Sequence, residues 1–362
     1  MPRFRPDIAA MSPYKVGRQM ADVAREHGLD PSEIVKLTAN EGPEGPFPGV
    51  VDAVTAVLSD SNRYPDNDCW DLGHRLSEEL GVDFSNLLFG AGSVALLVEI
   101  ALAMGGLGTN IVYGWPSFIM YRFAALWAGS ESREVSLDAD HSLDLDAMRQ
   151  AIDDGTRVVI VCNPNNPTGT IKPAEEIEAF IDDVPEDVLV VVDEAYHEFV
   201  TDSRYRTEIP LAIDRPNVVV LRTFSKIYAL AAHRVGYAIA RADLITELRK
   251  AQAPLTVSKV AQVAATATLG QSEELSRRRD LNEARRHHVF GALSERGLDA
   301  AESHTNFVFF YLGEETDAMV ELMTTKGVLI RPMSGGWVRA TIGDEQENRR
   351  FLEALDSALR SR

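Results

Sequence analysis

Four short runs of β-branched and aliphatic residues constrain the fold of this chain more than any other feature. The runs are NIVYG, TRVVIVC, DVLVVVD and NVVVLRT, and amphipathic segments such as LDAMRQAIDDG and PAEEIEAFIDDV separate them. Apolar runs of this length that alternate with helices are typical of βαβ units, and their continuous apolar character predicts strands that are buried on both faces. The sequence therefore predicts an α/β protein with a mostly parallel sheet covered by helices on both faces.

The chain changes character after about residue 242. Long charged helices are predicted first, and after them the strands NFVFFYL, GVLIRPM and GWVRATIG alternate with two shorter helices. This pattern predicts a smaller α+β domain with a short antiparallel sheet, on which the N-terminal helix-like segment 15–27 is expected to pack. We therefore expect a large domain at 41–254 and a small domain formed by 1–40 and 255–362.

The composition excludes several classes of protein. Among 362 residues, 36 Lys and Arg oppose 55 Asp and Glu, for a net charge of −19, which disfavours binding to nucleic acid or anionic membranes. Cys69 and Cys162 are the two cysteines, so neither a disulfide framework nor a metal site is predicted. The N-terminal residues lack an apolar signal segment, and Glu99 interrupts the most apolar run. We expect a cytoplasmic protein.

Polar residues follow the predicted strands at the sheet edge where open α/β proteins bind ligands. The first such segment, GAGSVALLVEI, combines the end of a strand, a glycine turn and the start of a helix. Ser93 and the N–H groups after it would lie at a helix N-terminus, which is a natural site for an anion. The alternative is a serine that only caps the helix.

The segment CNPNNPTG, at residues 162–169, contains two Asn-Pro pairs. Because proline restricts both its own backbone and that of the residue before it, this doubling predicts that Asn166 is a fixed amide donor. A cis peptide bond at Asn166–Pro167 is a further hypothesis.

The segment VVVDEAYHEF ends an apolar strand in two carboxylates. Asp193 is expected near the core, where a charge is costly unless a cation pairs with it. For Glu194 we expect a solvated position at the end of the strand. The phenol of Tyr196, two residues further, could reach the same site as Asp193.

The segment LRTFSKIYALAAHRVGY places Lys226 after a strand and before an apolar, helix-like run. Thr223 and Ser225 flank this lysine, and Arg234 follows. A nearby cation lowers the pKa of a lysine and makes it a usable nucleophile, although a surface charge at a turn is the simpler interpretation. An amine, an anion site, a buried carboxylate and a fixed amide together suit pyridoxal phosphate.

The motifs NEGPEGP, RYPD, GAGSV, PSFIMY, NPNNPTG, DEAY, FSK and VRATIG occur in the order found in fold type I pyridoxal-phosphate aminotransferases. Nearly the whole chain resembles the histidinol-phosphate aminotransferase family, and within it the bacterial phenylalanine or aromatic amino acid enzymes. The resemblance implies a ping-pong transamination between an aromatic amino acid and a 2-oxo acid such as 2-oxoglutarate.

The resemblance also implies roles for individual residues. Lys226 would carry the cofactor and act as general base, Asp193 would pair with the pyridine nitrogen, and Tyr196 would complete the catalytic set. The remaining cofactor-binding residues would be Gly92, Ser93, Val94, Phe118, Asn166, Thr223, Ser225 and Arg234, together with Tyr64, which would reach the partner subunit's site in a homodimer. The substrate would be bound by Arg339, Arg331, Tyr14 and Asn166.

Two positions favour the aromatic branch of the family. Val94 and Ala95 stand where histidinol-phosphate enzymes usually have an acidic pair, and Thr256 stands where they tend to have asparagine. His233 beside Arg234, and the segment MSGGW with Trp337, depart from both branches. Three alternatives stay open: a histidinol-phosphate aminotransferase, a decarboxylase or lyase on the same scaffold, and a non-catalytic regulator.

Overall fold

The computed structural model describes residues 2–14 and 17–361. The strands are β1 Val35–Leu37, β2 Leu87–Gly90, β3 Asn110–Trp115, β4 Glu131–Ser136, β5 Thr156–Cys162, β6 Leu189–Asp193, β7 Val218–Thr223, β8 Gly236–Ala240, β9 Phe307–Tyr311, β10 Val328–Pro332 and β11 Trp337–Thr341. The helices are α1 Pro6–Ala10, α2 Met20–His27, α3 Val50–Val57, α4 Trp70–Leu80, α5 Ser93–Met104, α6 Met120–Ala128, α7 Leu145–Gln150, α8 Ala174–Asp183, α9 Ile209–Asp214, α10 Ala242–Leu248, α11 Lys259–Thr268, α12 Ser272–Glu295, α13 Thr316–Thr325 and α14 Glu345–Leu359.

Within the described residues, seven strands form the large sheet, in the order β2-β8-β7-β6-β5-β3-β4. All neighbouring strands are parallel except at β8, which runs antiparallel to both β7 and β2. Successive residues of a strand point to opposite faces, so Val158 and Ile160 of β5 enter one hydrophobic cluster and Val159 and Val161 enter another. The α/β fold predicted from the sequence, with apolar strands buried on both faces, is confirmed.

Two strands of the large sheet depart from the pattern of apolar strands alternating with helices that identified the others. The residues of β4, ESREVS, are mostly polar because this strand lies at the edge of the sheet and is partly exposed. The strand β8 follows β7 after a loop rather than a helix. Residues 224–235 form this loop, with one turn of 3-10 helix at Ala231–His233. The helix expected directly after Lys226 is therefore wrong.

The small sheet has the order β1-β10-β11-β9. The predicted strands β9, β10 and β11 pair antiparallel, whereas the short strand β1 adds to β10 in parallel and carries too few residues to show a pattern. The helix α2 packs through Val23 and Ala24 against Leu329 of β10. Lys15 and Val16, the first residues of the predicted segment 15–27, lie outside the described residues.

The helix α11 packs against α3 and α4, and its alanines join the cluster beneath the large sheet. The division into 41–254 and the remainder stays a prediction, but this packing favours placing α11 with the large sheet. In the described part of the chain, none of the helices combines the length and the apolar composition needed to cross a membrane.

Candidate active site

The carboxyl ends of β5, β6 and β7 open into one cavity of about 1220 Å³. Register brings Cys162 opposite Asp193 and Asp193 opposite Leu221, so β5 and β6 end level with each other and β7 continues to Thr223. The cavity lining includes the predicted residues Ser93, Val94, Phe118, Asn166, Asp193, Tyr196, Thr223, Ser225, Lys226, Arg234, Arg331, Arg339 and Tyr14. Tyr64 lies elsewhere and is 86% exposed.

One end of the cavity is built to hold an anion. Gly92 caps the N-terminus of α5 with φ of 82°, a conformation that favours glycine. A Cβ atom at this position would lie 2.3 Å from Nη2 of Arg234, so only glycine allows the guanidinium to approach the helix N-terminus this closely. Nη1 of Arg234 donates to Ser225 Oγ at 3.4 Å, and Thr223 Oγ1 donates to the same hydroxyl at 2.9 Å. Free N–H groups, hydroxyls and a cation form a cradle suited to phosphate.

Lys226 lines the cavity beside Asp193, Tyr196 and Arg339. Its Nζ lies 3.3 Å from the carbonyl oxygen of Ala39 and 5.5 Å from the centre of the Tyr196 ring. Burial, followed by the positive charge of Arg339, lowers the pKa of Lys226 to about 8. About a tenth of the amine is therefore neutral at pH 7 and about half at pH 8, and the neutral form is the one that a nucleophile or general base requires.

Asp193 lies at the buried end of β6. Its Oδ2 accepts a hydrogen bond from Tyr121 Oη at 2.7 Å, and its Oδ1 accepts one from the Ala195 N–H at 3.1 Å. Burial raises the pKa of Asp193, and the Tyr121 hydrogen bond is the largest effect that lowers it. A cation or a protonated ring nitrogen in the cavity would compensate the cost of this buried charge.

Arg339 and Asn166 are joined directly. Nη1 of Arg339 donates to Asn166 Oδ1 at 2.6 Å, and Nη2 donates to the Thr38 carbonyl at 2.6 Å. Among the described residues, the buried Nε of Arg339 has no hydrogen-bond partner. Because the Asn166 oxygen is engaged, its amide N–H₂ is left to serve as the donor predicted from the sequence.

The Asn-Pro segment holds this amide and also supports Phe118. The cis peptide bond in the segment is Asn163–Pro164, so the hypothesis of a cis bond at Asn166–Pro167 is wrong. The buried Asn165 accepts from Ser117 Oγ at 2.7 Å and donates to the Pro116 carbonyl. These bonds tie the Asn-Pro segment to the loop that carries Phe118.

A wall of the cavity beyond Arg339 is lined by aromatic and apolar groups. Tyr14 meets Phe123 of α6 edge to face, with ring centres 6.0 Å apart. Arg5 fixes the N-terminal segment by donating to the carbonyls of Leu126 and Trp127 at the end of α6. Trp337, by contrast, stacks on Phe309 at 4.6 Å and so belongs to the packing of the small sheet.

Several residues of the site escaped the sequence reasoning. Asn40, in the motif NEGPEGP, donates from Nδ2 to Tyr196 Oη at 2.7 Å. Tyr121, in the motif PSFIMY, supports Asp193, and Arg122 lies over the Trp115 ring at 4.5 Å. Helical periodicity gives no indication of these roles, although each residue stands within or beside a motif whose other members were identified.

Glu194, expected to be solvated, is buried on the face of the sheet opposite Asp193. Arg222 of β7 donates to its Oε2 at 2.7 Å, so the two strands that carry the site are joined by a buried ion pair. The Glu208 N–H also donates to Glu194 at 2.7 Å. The expectation for Glu194 was wrong because alternation along β6 turns its side chain toward this buried cation.

Glu208 makes the stability of the protein dependent on pH. Burial, followed by the charge of Glu194, raises the pKa of Glu208 to about 8. The contribution of the protonated Glu208 to the free energy of unfolding is complete below the pKa of the unfolded state and is lost as the pH rises through about 8.

We expect a Glu208→Gln variant to unfold with a free energy about 2 kcal/mol higher than wild type at pH 9, with little difference at pH 5. Urea denaturation at both pH values measures this difference. Glu186→Gln, at an exposed position, is the control, and an equal pH dependence in the Glu208 variant and wild type would contradict the prediction.

Comparison with known proteins agrees with this geometry. The model of the family "Aminotransferase class I and II" matches residues 32–355. The chain is 42% identical to an aromatic amino acid aminotransferase of Streptomyces coelicolor, over 98% of this chain and 97% of that protein. It is 40% identical to a histidinol-phosphate aminotransferase of Cupriavidus pinatubonensis, over 99% and 97%.

A solved structure shows the same fold over the whole chain. The histidinol-phosphate aminotransferase of Sinorhizobium meliloti, in complex with pyridoxal 5'-phosphate, superposes with a TM-score of 0.91 at 28% identity, covering 100% of this chain and 98% of that one. The chain therefore belongs to the class I and II aminotransferase family, which confirms the family predicted from its motifs.

Proposed function

We propose that the protein transfers an amino group between an aromatic amino acid, such as phenylalanine or tyrosine, and a 2-oxo acid such as 2-oxoglutarate. The observation that carries this proposal is the shared cavity of Lys226, Asp193 and Arg339, with the Tyr14–Phe123 wall beside it. The relatives support the aromatic substrate, because those named aromatic amino acid aminotransferases are 40–43% identical over most of the chain.

The enzyme depends on pyridoxal 5'-phosphate, and the residues of the cavity fit this group. When bound, the coenzyme supplies a carbonyl carbon that takes up the amino group and a ring that withdraws electrons from the substrate's α-carbon. In our proposal the anion cradle holds its phosphate, Phe118 stacks on its ring, and Asp193 faces its ring nitrogen. The phosphate ligands are Gly92, Ser93 and Val94 at the start of α5, with Thr223, Ser225 and Arg234.

Lys226 is the group that moves the proton in this proposal. With a pKa of about 8, its amine can take the α-proton of the substrate and return it as the transfer proceeds. Tyr196 and Asn166 line the same cavity and would each donate a hydrogen bond to the coenzyme. Because Tyr196 Oη already accepts from Asn40, its own hydrogen is available for the coenzyme.

Arg339 binds the carboxylate shared by amino acid and oxo acid. Two of its nitrogens are fixed by Asn166 and Thr38, which leaves the buried Nε for the substrate. A guanidinium held in this way is already oriented before the substrate arrives, which reduces the entropy lost on binding. Tyr14 lies where it can contact the substrate's side chain.

Arg331 favours a second candidate, transfer from histidinol phosphate. Its Cα pairs in register with that of Arg339 across β10 and β11, and both side chains line the cavity. Two neighbouring arginines suit a phosphate dianion. The relative from Cupriavidus, named histidinol-phosphate aminotransferase, supports the same candidate.

A homodimer completes the proposal. Tyr64 is far more exposed than tyrosines usually are and does not line the cavity of its own chain. We propose that it contacts the phosphate in the partner subunit's site. A cytoplasmic location stays a prediction from the sequence.

Single-turnover kinetics test the function. Coenzyme-loaded enzyme is mixed with phenylalanine, tyrosine or histidinol phosphate, and the absorbance of the coenzyme is followed. We expect kcat/KM for the aromatic amino acids to exceed that for histidinol phosphate by about 10²-fold, the discrimination expected of a fitted apolar pocket. The reverse order would transfer the proposal to histidinol phosphate, and release of CO₂ would indicate a decarboxylase.

A further inference from the structure

Tyr121 is fully buried in the second position of α6, and its phenol lies directly against Asp193. The distance from Tyr121 Oη to Asp193 Oδ2 is 2.7 Å, within the range of a strong charge-assisted hydrogen bond. A tyrosine on an apolar helix face usually serves only to fill the core. Here its hydroxyl contacts Asp193, the buried acid that lines the cavity.

The direction of this hydrogen bond is fixed by chemistry. An ionised carboxylate only accepts, so the phenol must donate. Burial, and next the charge of Asp193, raise the pKa of Tyr121 well above its ordinary value. The phenol therefore keeps its proton throughout the pH range in which the enzyme works.

The two oxygens of Asp193 have separate donors. Tyr121 serves Oδ2, and the N–H of Ala195 serves Oδ1 at 3.1 Å. Two donors on different oxygens fix the plane of the carboxylate, and both favour its ionised form over the neutral one. They oppose burial, which favours the neutral form.

Tyr121 is itself held by rings on two sides. Tyr113 of β3 lies 5.6 Å from it, and Phe118 meets it at 90° with ring centres 5.7 Å apart. The side chain thus contacts both the acid and the aromatic ring proposed to stack on the coenzyme. Its position is set by packing, so the phenol is pre-oriented toward Asp193.

We propose that Tyr121 is a positioning residue that keeps Asp193 ionised and oriented toward the ring nitrogen of the coenzyme. This inference rests on the proposed function, because it concerns the same coenzyme site. Tyr121 acts through Asp193 and not on the substrate.

A Tyr121→Phe variant tests the inference, and Tyr113→Phe is the matched control. Tyr113 is also fully buried, but its hydroxyl bonds to Ser132 and Glu134, away from Asp193. The dissociation constant of pyridoxal phosphate is measured for both variants and wild type at pH 6 and pH 8.5. We expect Tyr121→Phe to weaken coenzyme binding about 10-fold at pH 6, and less at pH 8.5, because loss of the donor raises the pH needed to ionise Asp193.

Steady-state kinetics give a second measurement. We expect kcat of Tyr121→Phe to fall about 10-fold while KM for phenylalanine stays within about 3-fold of wild type, since the substrate contacts are unchanged. Tyr113→Phe is expected to match wild type in coenzyme binding and in kcat. Equal thermal stability of the two coenzyme-free variants would show that the difference is local.

The outcomes separate this inference from the function on which it rests. If wild type binds the coenzyme and transfers amino groups but the two variants behave alike at both pH values, the role of Tyr121 is overturned and the function stands. If wild type binds no coenzyme, the function and the inference both fail.

Discussion

Replacing Lys226 with alanine is expected to reduce kcat by about 10⁴-fold, because the variant loses both the nucleophile and the base that moves the α-proton. Lys226 lines the cavity, and its Nζ is 3.3 Å from the Ala39 carbonyl. Asp193 and Arg339 line the same cavity, but neither has a basic nitrogen that titrates near neutral pH. Steady-state rates with phenylalanine and 2-oxoglutarate measure the loss.

Two controls separate lost chemistry from lost structure. Lys250→Ala removes an exposed lysine that pairs with Glu247 on the surface, and it is expected to keep the wild-type rate. Adding methylamine to Lys226→Ala should restore part of the activity, because a small amine can enter the space left by the side chain. A Lys226→Ala variant that retains a tenth of the wild-type rate would refute the assignment.

The strands of the large sheet that are buried on both faces could be predicted from the sequence. Val158 to Val161 of β5 are apolar at every position because helices cover both sides of the strand, and such a run is visible without a structure. The edge strand β4 and the three-residue β1 lack this signal. Their pairing partners come from distant parts of the chain, and local pattern does not encode them.

Most of the predicted site residues line one cavity at the strand ends, whereas Tyr64 does not. Asp193 and Thr223 end β6 and β7, Lys226 follows β7, and a parallel sheet brings such ends to one edge. Contacts between side chains that lie far apart in the sequence could not be predicted, because only the fold brings them together. Asn40 meets Tyr196 although 156 positions separate them, and Tyr121 meets Asp193 across 72 positions.

Glu194 shows that the burial of a charged side chain is also difficult to predict from the sequence. A carboxylate at a strand end is ordinarily solvated, and no local pattern indicates that Arg222 faces Glu194. The alternation along β6 and β7 turns both side chains to the same buried face, where the ion pair forms. A charge can be placed in the core only once its partner is known, and the partner is a property of the fold.

In our proposal Arg339 performs two tasks that two substitutions can separate. Its guanidinium would bind the carboxylate of the substrate, and its charge is the largest electrostatic effect lowering the pKa of Lys226 after burial. The Arg339→Lys variant keeps the positive charge but loses the planar guanidinium with its fixed donors. The Arg339→Gln variant loses both the charge and the guanidinium.

We expect each variant to raise KM for phenylalanine by about 10²-fold, because neither lysine nor glutamine reproduces the oriented Nε donor of the guanidinium. The pH profiles should differ. In wild type and in Arg339→Lys, activity should rise with pH through about 8, following the neutral amine of Lys226. In Arg339→Gln the rise should occur at higher pH, because removing a neighbouring cation makes the ammonium form more favourable.

Profiles of kcat between pH 6 and pH 10 measure the shift, because kcat reports the substrate complex, in which the amine of Lys226 is free. Arg349→Gln, at an exposed position of α14, is the control and should leave both KM and the profile unchanged. If Arg339→Gln and Arg339→Lys have the same pH profile, the charge of Arg339 does not lower the pKa of Lys226. If neither variant changes KM, the carboxylate is bound elsewhere in the cavity, and Arg331 becomes the first residue to substitute. A single arginine can orient a substrate and activate a base only if both groups share one low-dielectric space, so these profiles also test whether the cavity encloses the reaction as proposed.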